Sequence, residues 1–156
     1  SLSLNPSKED SLLRKYIEEE DRFNLTRNQL LIENKILFMP VEGTITQGFN
    51  TKENHLAIDL AVDIGTPIKA VSDGRVLFAE WTVETGYVII IDHGDMLTTT
   101  YKHNSSLLKN QYDFVNAGEI IALSGNHGTL TSGPHLHFEL WKNGSPIDPM
   151  RFFNFK

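Results

Sequence analysis

From Lys35 to the C-terminus the chain alternates short β-forming runs with tight-turn residues, a rhythm that leaves little room for helix. The runs cover 35–39, 43–46, 56–62, 67–71, 75–81, 87–93, 96–103, 119–124 and 135–141. Between them stand Asp63-Ile64-Gly65-Thr66-Pro67, Ser72-Asp73-Gly74, His93-Gly94-Asp95, Asn116-Ala117-Gly118, Ser124-Gly125-Asn126 and Lys142-Asn143-Gly144. Gly, Asn and Asp tolerate the positive φ angles that sharp reversals need, and Pro fixes its own. Many short strands joined in this way predict a mainly β domain, an antiparallel sandwich or a barrel-like fold.

The first 36 residues have a different texture. Ser7-Lys8-Glu9-Asp10 resembles a capping box with Asp in place of Glu, and Leu12, Leu13, Tyr16, Ile17 and Phe23 follow at helical spacing among charged residues. This spacing predicts an amphipathic helix over about 8–23, with an apolar stripe too narrow to fold alone. The expected division is a helical and extended segment, 1–36, followed by a β domain, 37–156. The helix would pack on the domain or a partner, or continue a coiled coil. The polar stretch 24–39 is long enough to reach a cleft in the β domain, where it would hold a site latent.

Composition narrows the functions open to the chain. With 156 residues, 40 % hydrophobic and 22 % charged, it fits one soluble globular domain with a real core. No run approaches the ~20 apolar residues of a membrane span. The chain starts with Ser1, so a signal or membrane anchor upstream stays open. A net charge of −6 and the lack of a basic stripe argue against a nucleic-acid partner. The absence of cysteine excludes disulfides, thiolate metal sites and thiol nucleophiles.

The histidines carry the chemistry. In the run that begins Gly133-Pro134-His135-Leu136-His137-Phe138-Glu139, residues two apart share a strand face. His135 and His137 therefore stand side by side, with Leu136 and Phe138 facing the core. Two adjacent imidazoles without a task would need costly hydrogen-bond partners, which favours a metal or catalytic role. His55 and Asp59 lie four apart, and four extended residues span about 13 Å, too far for two ligands of one ion unless the chain bends. His55 is thus expected at a loop end and Asp59 on the following strand. His103 ends a β run and is structural or catalytic; His93 sits in a turn and is expected to stabilise it; His127 lies in the loop ahead of the His-x-His strand.

Three protein ligands with one open position is the pattern of catalytic zinc. A structural zinc site would recruit Cys, and the helical His-Glu-x-x-His of zincins is absent. A non-haem iron triad of two His and one carboxylate remains open on ligand type alone.

In order along the chain, these segments resemble the lysostaphin-type, or LytM-like, zinc endopeptidases that cut bacterial peptidoglycan. The similarity runs from about Val41 to Phe153. It takes in Gly48-Phe49, His55-x-x-x-Asp59, Gly65-Thr66-Pro67-Ile68-Lys69-Ala70, Tyr101-Lys102-His103, Gly133-Pro134-His135-Leu136-His137-Phe138-Glu139-Leu140 and Asn143-Gly144-x-Pro146-x-Asp148-Pro149. The resemblance implies Zn2+ held by His55, Asp59 and His137, with water in the fourth position and His103 and His135 as the catalytic pair. One histidine would take the proton from the water and the other would stabilise the oxyanion, so activity is expected to fall as pH drops through about 6.5.

It further implies peptidoglycan peptides as substrate and a periplasmic or other cell-envelope location. The alternative it carries is a LytM-like domain that does not cut but binds and activates another wall hydrolase. Several active relatives of this type have a Tyr where Thr85 stands, with Tyr87 and Tyr101 as the nearby phenols that could replace it. Thr85 and His127 are the candidate substrate contacts. A short loop before His55 is expected to leave one wall of the cleft low.

Overall fold

The computed structural model describes residues 37–126, 128 and 133–155. The amphipathic helix expected over 8–23, the latency segment up to residue 36, and the 1–36 division lie outside these residues, as does His127.

Ten strands form: β1 (Thr44–Gln47), β2 (Ile58–Ala61), β3 (Pro67–Lys69), β4 (Gly74–Thr82), β5 (Gly86–Asp92), β6 (Leu97–Leu107), β7 (Phe114–Val115), β8 (Ile120–Ser124), β9 (His135–Lys142) and β10 (Ser145–Ile147). The sole helical turn among the described residues is a 3-10 turn, Pro149–Arg151, capped by Asp148, whose carboxylate accepts from the Met150 N–H at 2.9 Å. All pairings are antiparallel, and the sheet runs β1-β2-β9-β6-β5-β4-β7, with β10 on β9 and β8 joining β3 to β6. The mainly β, antiparallel expectation is met. The sandwich or barrel is not: hydrogen bonding joins all ten strands into a single open sheet.

The reason lies in β6. One edge of this strand pairs with β9 from Leu97 to Lys102 and then with β8 from Asn104 to Leu107. At the changeover His103 has φ +68°, a left-handed conformation that breaks the ladder and redirects the strand. A separate second sheet is unnecessary because β3 and β8 hang from the far half of β6.

Strand alternation sets the core. Leu136, Phe138 and Leu140 of β9, Ile58 and Leu60 of β2, Tyr101 of β6, and Ile89 and Ile91 of β5 are all 0 % exposed. Each such side chain contributes roughly 1.5–3 kcal/mol on leaving water. The residues between them on β9, namely His137, Glu139 and Trp141, face the other way and are partly exposed. The core thereby fixes which face of the sheet can carry chemistry.

Two departures from the expected strands have local causes. The run expected over 35–39 is irregular from residue 37 onward, because Pro40 cannot donate to a ladder; instead the Phe38 N–H bonds the Val71 carbonyl and the Lys69 N–H the Pro40 carbonyl. Strands β7 and β10, only two and three residues long, are too short for a period to register.

Candidate metal centre

Asp59 and His137 are directly opposite in the β2–β9 ladder, so the register itself joins the carboxylate and the imidazole. His55 enters from the preceding loop, pinned by a two-way backbone bridge with Asn50. This loop-end His with a strand-borne Asp is the bend expected from the spacing. One donor atom from each of His55, Asp59 and His137 can be chosen so that all lie within 4.8 Å of one another.

The orientation of each ring follows from its partners. Nδ1 of His55 is 2.8 Å from the Gly48 carbonyl, which can only accept, so this nitrogen carries the hydrogen and Nε2 faces the Asp59 carboxylate at 3.2 Å. His135 is held the same way: its Nδ1–H donates to the Gly133 carbonyl at 2.7 Å, and its Nε2 lies 3.9 Å from an Asp59 oxygen. His137 donates from Nδ1 to Asp59 at 2.9 Å and from Nε2 to Glu139 at 2.8 Å. His103 completes the group, its ring centroid 4.8 Å from that of His135 and 5.9 Å from that of His137.

These side chains, with Gln47, Thr85 and Lys102, line a hollow of about 230 Å³. Five histidine and aspartate positions singled out by sequence, His55, Asp59, His103, His135 and His137, therefore meet in one place, with Thr85 at its wall. The Thr85 hydroxyl is engaged within the β4–β5 hairpin, with Thr82 Oγ1 and the Gly86 carbonyl, while its own carbonyl accepts the His103 N–H at 2.8 Å. Tyr101 cannot supply a phenol to the hollow. It is 0 % exposed, its ring packs on Phe138, and its hydroxyl meets Thr99 and the Val71 N–H.

The electrostatics suit a cation. Burial pushes the Asp59 carboxyl up, but the His137 hydrogen bond and the charges of His137, His135 and His55 outweigh it and leave its pKa lowered. Burial pulls His137 down, yet its bonds to Asp59 and Glu139, and their charges, leave it raised. Glu139 is likewise pushed up by burial, and His137, Lys102 and Trp141 together bring it down to about 2.

Glu139, Lys102 and Trp141 are the part of the site for which sequence gave no role. The signal was there in part: Glu139 and Trp141 follow His137 at strand period, on the same face. Lys102 is the cross-strand partner of His137, a register that a single sequence does not display.

An antiparallel β domain that presents two histidines, a carboxylate and two further histidines in one hollow has the make-up of a metal-dependent hydrolase site. Residues 53–149 match the model of peptidase family M23, and the chain belongs to that family. Over 116 residues it is 35 % identical to the peptidoglycan DD-endopeptidase ShyB of Vibrio cholerae, a match covering 69 % of this chain and 27 % of that protein. It is 36 % identical over 115 residues to the murein hydrolase activator NlpD of Escherichia coli, covering 72 % of this chain and 30 % of NlpD. The crystal structure of a zinc-containing peptidase from Vibrio cholerae superposes with a TM-score of 0.70 at 32 % identity, over 78 % of this chain and 41 % of that one. The chain thus spans under a third of the curated relatives named, and the lysostaphin-type resemblance read from sequence holds.

Proposed function

We propose that the protein is a zinc-dependent endopeptidase that hydrolyses the peptide cross-links of bacterial peptidoglycan. The observation that carries this reading is the convergence of the His55/Asp59/His137 donor set and the His103/His135 pair in one hollow. The donors suit zinc: two imidazoles and one carboxylate, with the outward nitrogens of His55 and His137 already engaged and the inward ones clustered on Asp59. When bound there, zinc would acidify a water and polarise a carbonyl, leaving one coordination position for chemistry.

The chain's own residues would do the rest. His135, with Nδ1–H tied to Gly133, presents Nε2 as a proton acceptor towards the hollow. His135 would then pass that proton to the departing amine, and His103, ring to ring with His135, would donate a hydrogen bond to the oxyanion. Thr85 and His127 would flank the substrate, and the β domain 37–156 would carry the activity. The ShyB match supports the choice of peptidoglycan cross-links, and a substrate of that kind would put the protein in the cell envelope or periplasm. Among the described residues no helix is long and apolar enough to cross a membrane.

A second reading has its own support in the match to an activator of murein hydrolases. In it the domain binds and activates another wall hydrolase without cutting. The intact donor set favours the enzyme. Zinc stoichiometry combined with digestion of cross-linked muropeptides separates the two: one zinc per chain with cleavage supports the peptidase. A zinc-loaded protein that leaves muropeptides intact but accelerates a second hydrolase supports the activator.

A further inference from the structure

We propose that Glu139 is a positioning residue for the metal centre, a largely enclosed carboxylate that sets which nitrogen of His137 is offered to the ion. This rests on the zinc reading above. His137 is the one candidate ligand whose two ring nitrogens both face carboxylate oxygens, Asp59 at 2.9 Å and Glu139 at 2.8 Å. His55 and His135 have their outward nitrogens fixed by backbone carbonyls, Gly48 and Gly133, which the fold supplies whatever the side chains are. For His137 that duty falls to a side chain, which must itself be held.

The hold is visible. Glu139 Oε2 receives the Lys102 ammonium at 2.9 Å, and Oε1 receives the Trp141 indole N–H at 2.8 Å. His137, Glu139 and Trp141 share the exposed face of β9, and Lys102 is the cross-strand neighbour of His137 on β6. The Glu139 side chain is only 12 % exposed, so it has few alternatives. With Nε2–H retained by Glu139, Nδ1 is left as the nitrogen facing Asp59 and the His55 side. A metal-ligating histidine whose second nitrogen donates to a fixed carboxylate binds more tightly and in one orientation, and loss of such a partner typically weakens metal affinity about 10- to 100-fold.

Zinc affinity of the full chain, measured by competition with a chromophoric chelator, tests the role in Glu139→Gln. The variant keeps the size and one acceptor oxygen but loses the charge that Lys102 and His137 share. The expected result is zinc binding about 10- to 100-fold weaker than wild type, with the circular dichroism of the metal-free protein unchanged. The His137 Nε2–H proton resonance should also shift upfield in the zinc-loaded variant. Zinc binding within twofold of wild type would overturn the positioning role alone. Wild-type protein that takes up no zinc would overturn the zinc reading and this role with it. If Glu139→Gln does not fold, Trp141→Phe decides, since it removes only the indole donor: a severalfold loss of zinc affinity supports the role, and an unchanged affinity overturns it.

Discussion

Asp59 accepts a hydrogen bond from Nδ1 of His137 at 2.9 Å across a ladder in which the two residues are direct partners, 78 positions apart in the chain. The candidate centre is thus fixed by strand register, and a one-residue slip of β2 against β9 would turn one of the pair into the core. Because Leu60, Leu136 and Phe138 are wholly buried on the other face, such a slip is opposed by the core itself.

Replacing Asp59 by Asn should abolish peptidase activity and weaken zinc binding by more than about 100-fold, beyond the loss expected for a residue that only supports a ligand. Titration with zinc of the purified variant, alongside a muropeptide digest, checks both.

Zinc uptake should release protons. Without the ion, both ring nitrogens of His137 donate to carboxylates and its pKa is raised, so the protonated ring competes with metal. As pH falls, more protons must be displaced and the apparent affinity should drop. Calorimetry in buffers of differing ionisation enthalpy gives the proton count; a count of zero at slightly acid pH would contradict the expectation.

Acid should weaken the metal-free fold through Glu139. Its folded pKa of about 2 lies below the ordinary 4.5, so the carboxylate contributes stability that is present above about 4.5 and is lost as pH falls from there towards 2. In Glu139→Gln that part of the melting temperature–pH curve should flatten, as thermal scans between those limits would reveal.

Tyr101→Phe should destabilise the fold by about 1–3 kcal/mol while sparing the specific activity of folded protein. The lost hydroxyl is buried between Thr99 Oγ1, at 2.9 Å, and the Val71 N–H, at 3.3 Å. Thr99 in turn bonds Nε2 of His93, whose Nδ1–H donates to the Asp73 carbonyl. Removing the phenol leaves a buried donor unanswered, which urea unfolding would register.

Gly128→Ala should impair catalysis from outside the ligand set. Gly128 has φ +109°, and a Cβ there would lie 2.4 Å from the Glu84 carbonyl oxygen and 2.8 Å from the Thr85 carbonyl carbon. The Thr85 carbonyl accepts the His103 N–H, so backbone displaced at 84–85 carries to His103 and to the His135 ring beside it. In steady-state assays kcat should fall, while zinc titration should show the affinity retained.

Much of this was legible in the sequence because strand period is a local signal. The alternation His135-Leu136-His137-Phe138 announces one polar and one buried face, and the structure has Leu136 and Phe138 at 0 % exposure and His137 in the hollow. The bend that brings His55 to Asp59 followed from reach alone. The single open sheet was not legible, because it depends on His103 adopting a positive φ that lets β6 change neighbours. The Glu139 clamp was half legible: its face was readable from period 2, but the Lys102 partner comes from the β6–β9 register, which only the folded chain specifies. The Tyr101 phenol, a candidate substitute at Thr85, belongs to the core for the same reason: it is the register partner of Phe138.

The most direct test of the central claim is digestion of purified, cross-linked muropeptide dimers by the zinc-loaded protein, followed by mass spectrometry, with His137→Ala and chelator-treated protein as controls. The zinc-loaded wild type alone should convert dimers to monomers, with the gain of one water. Dimers left intact by protein carrying one zinc per chain, or cleaved equally by His137→Ala, would contradict it.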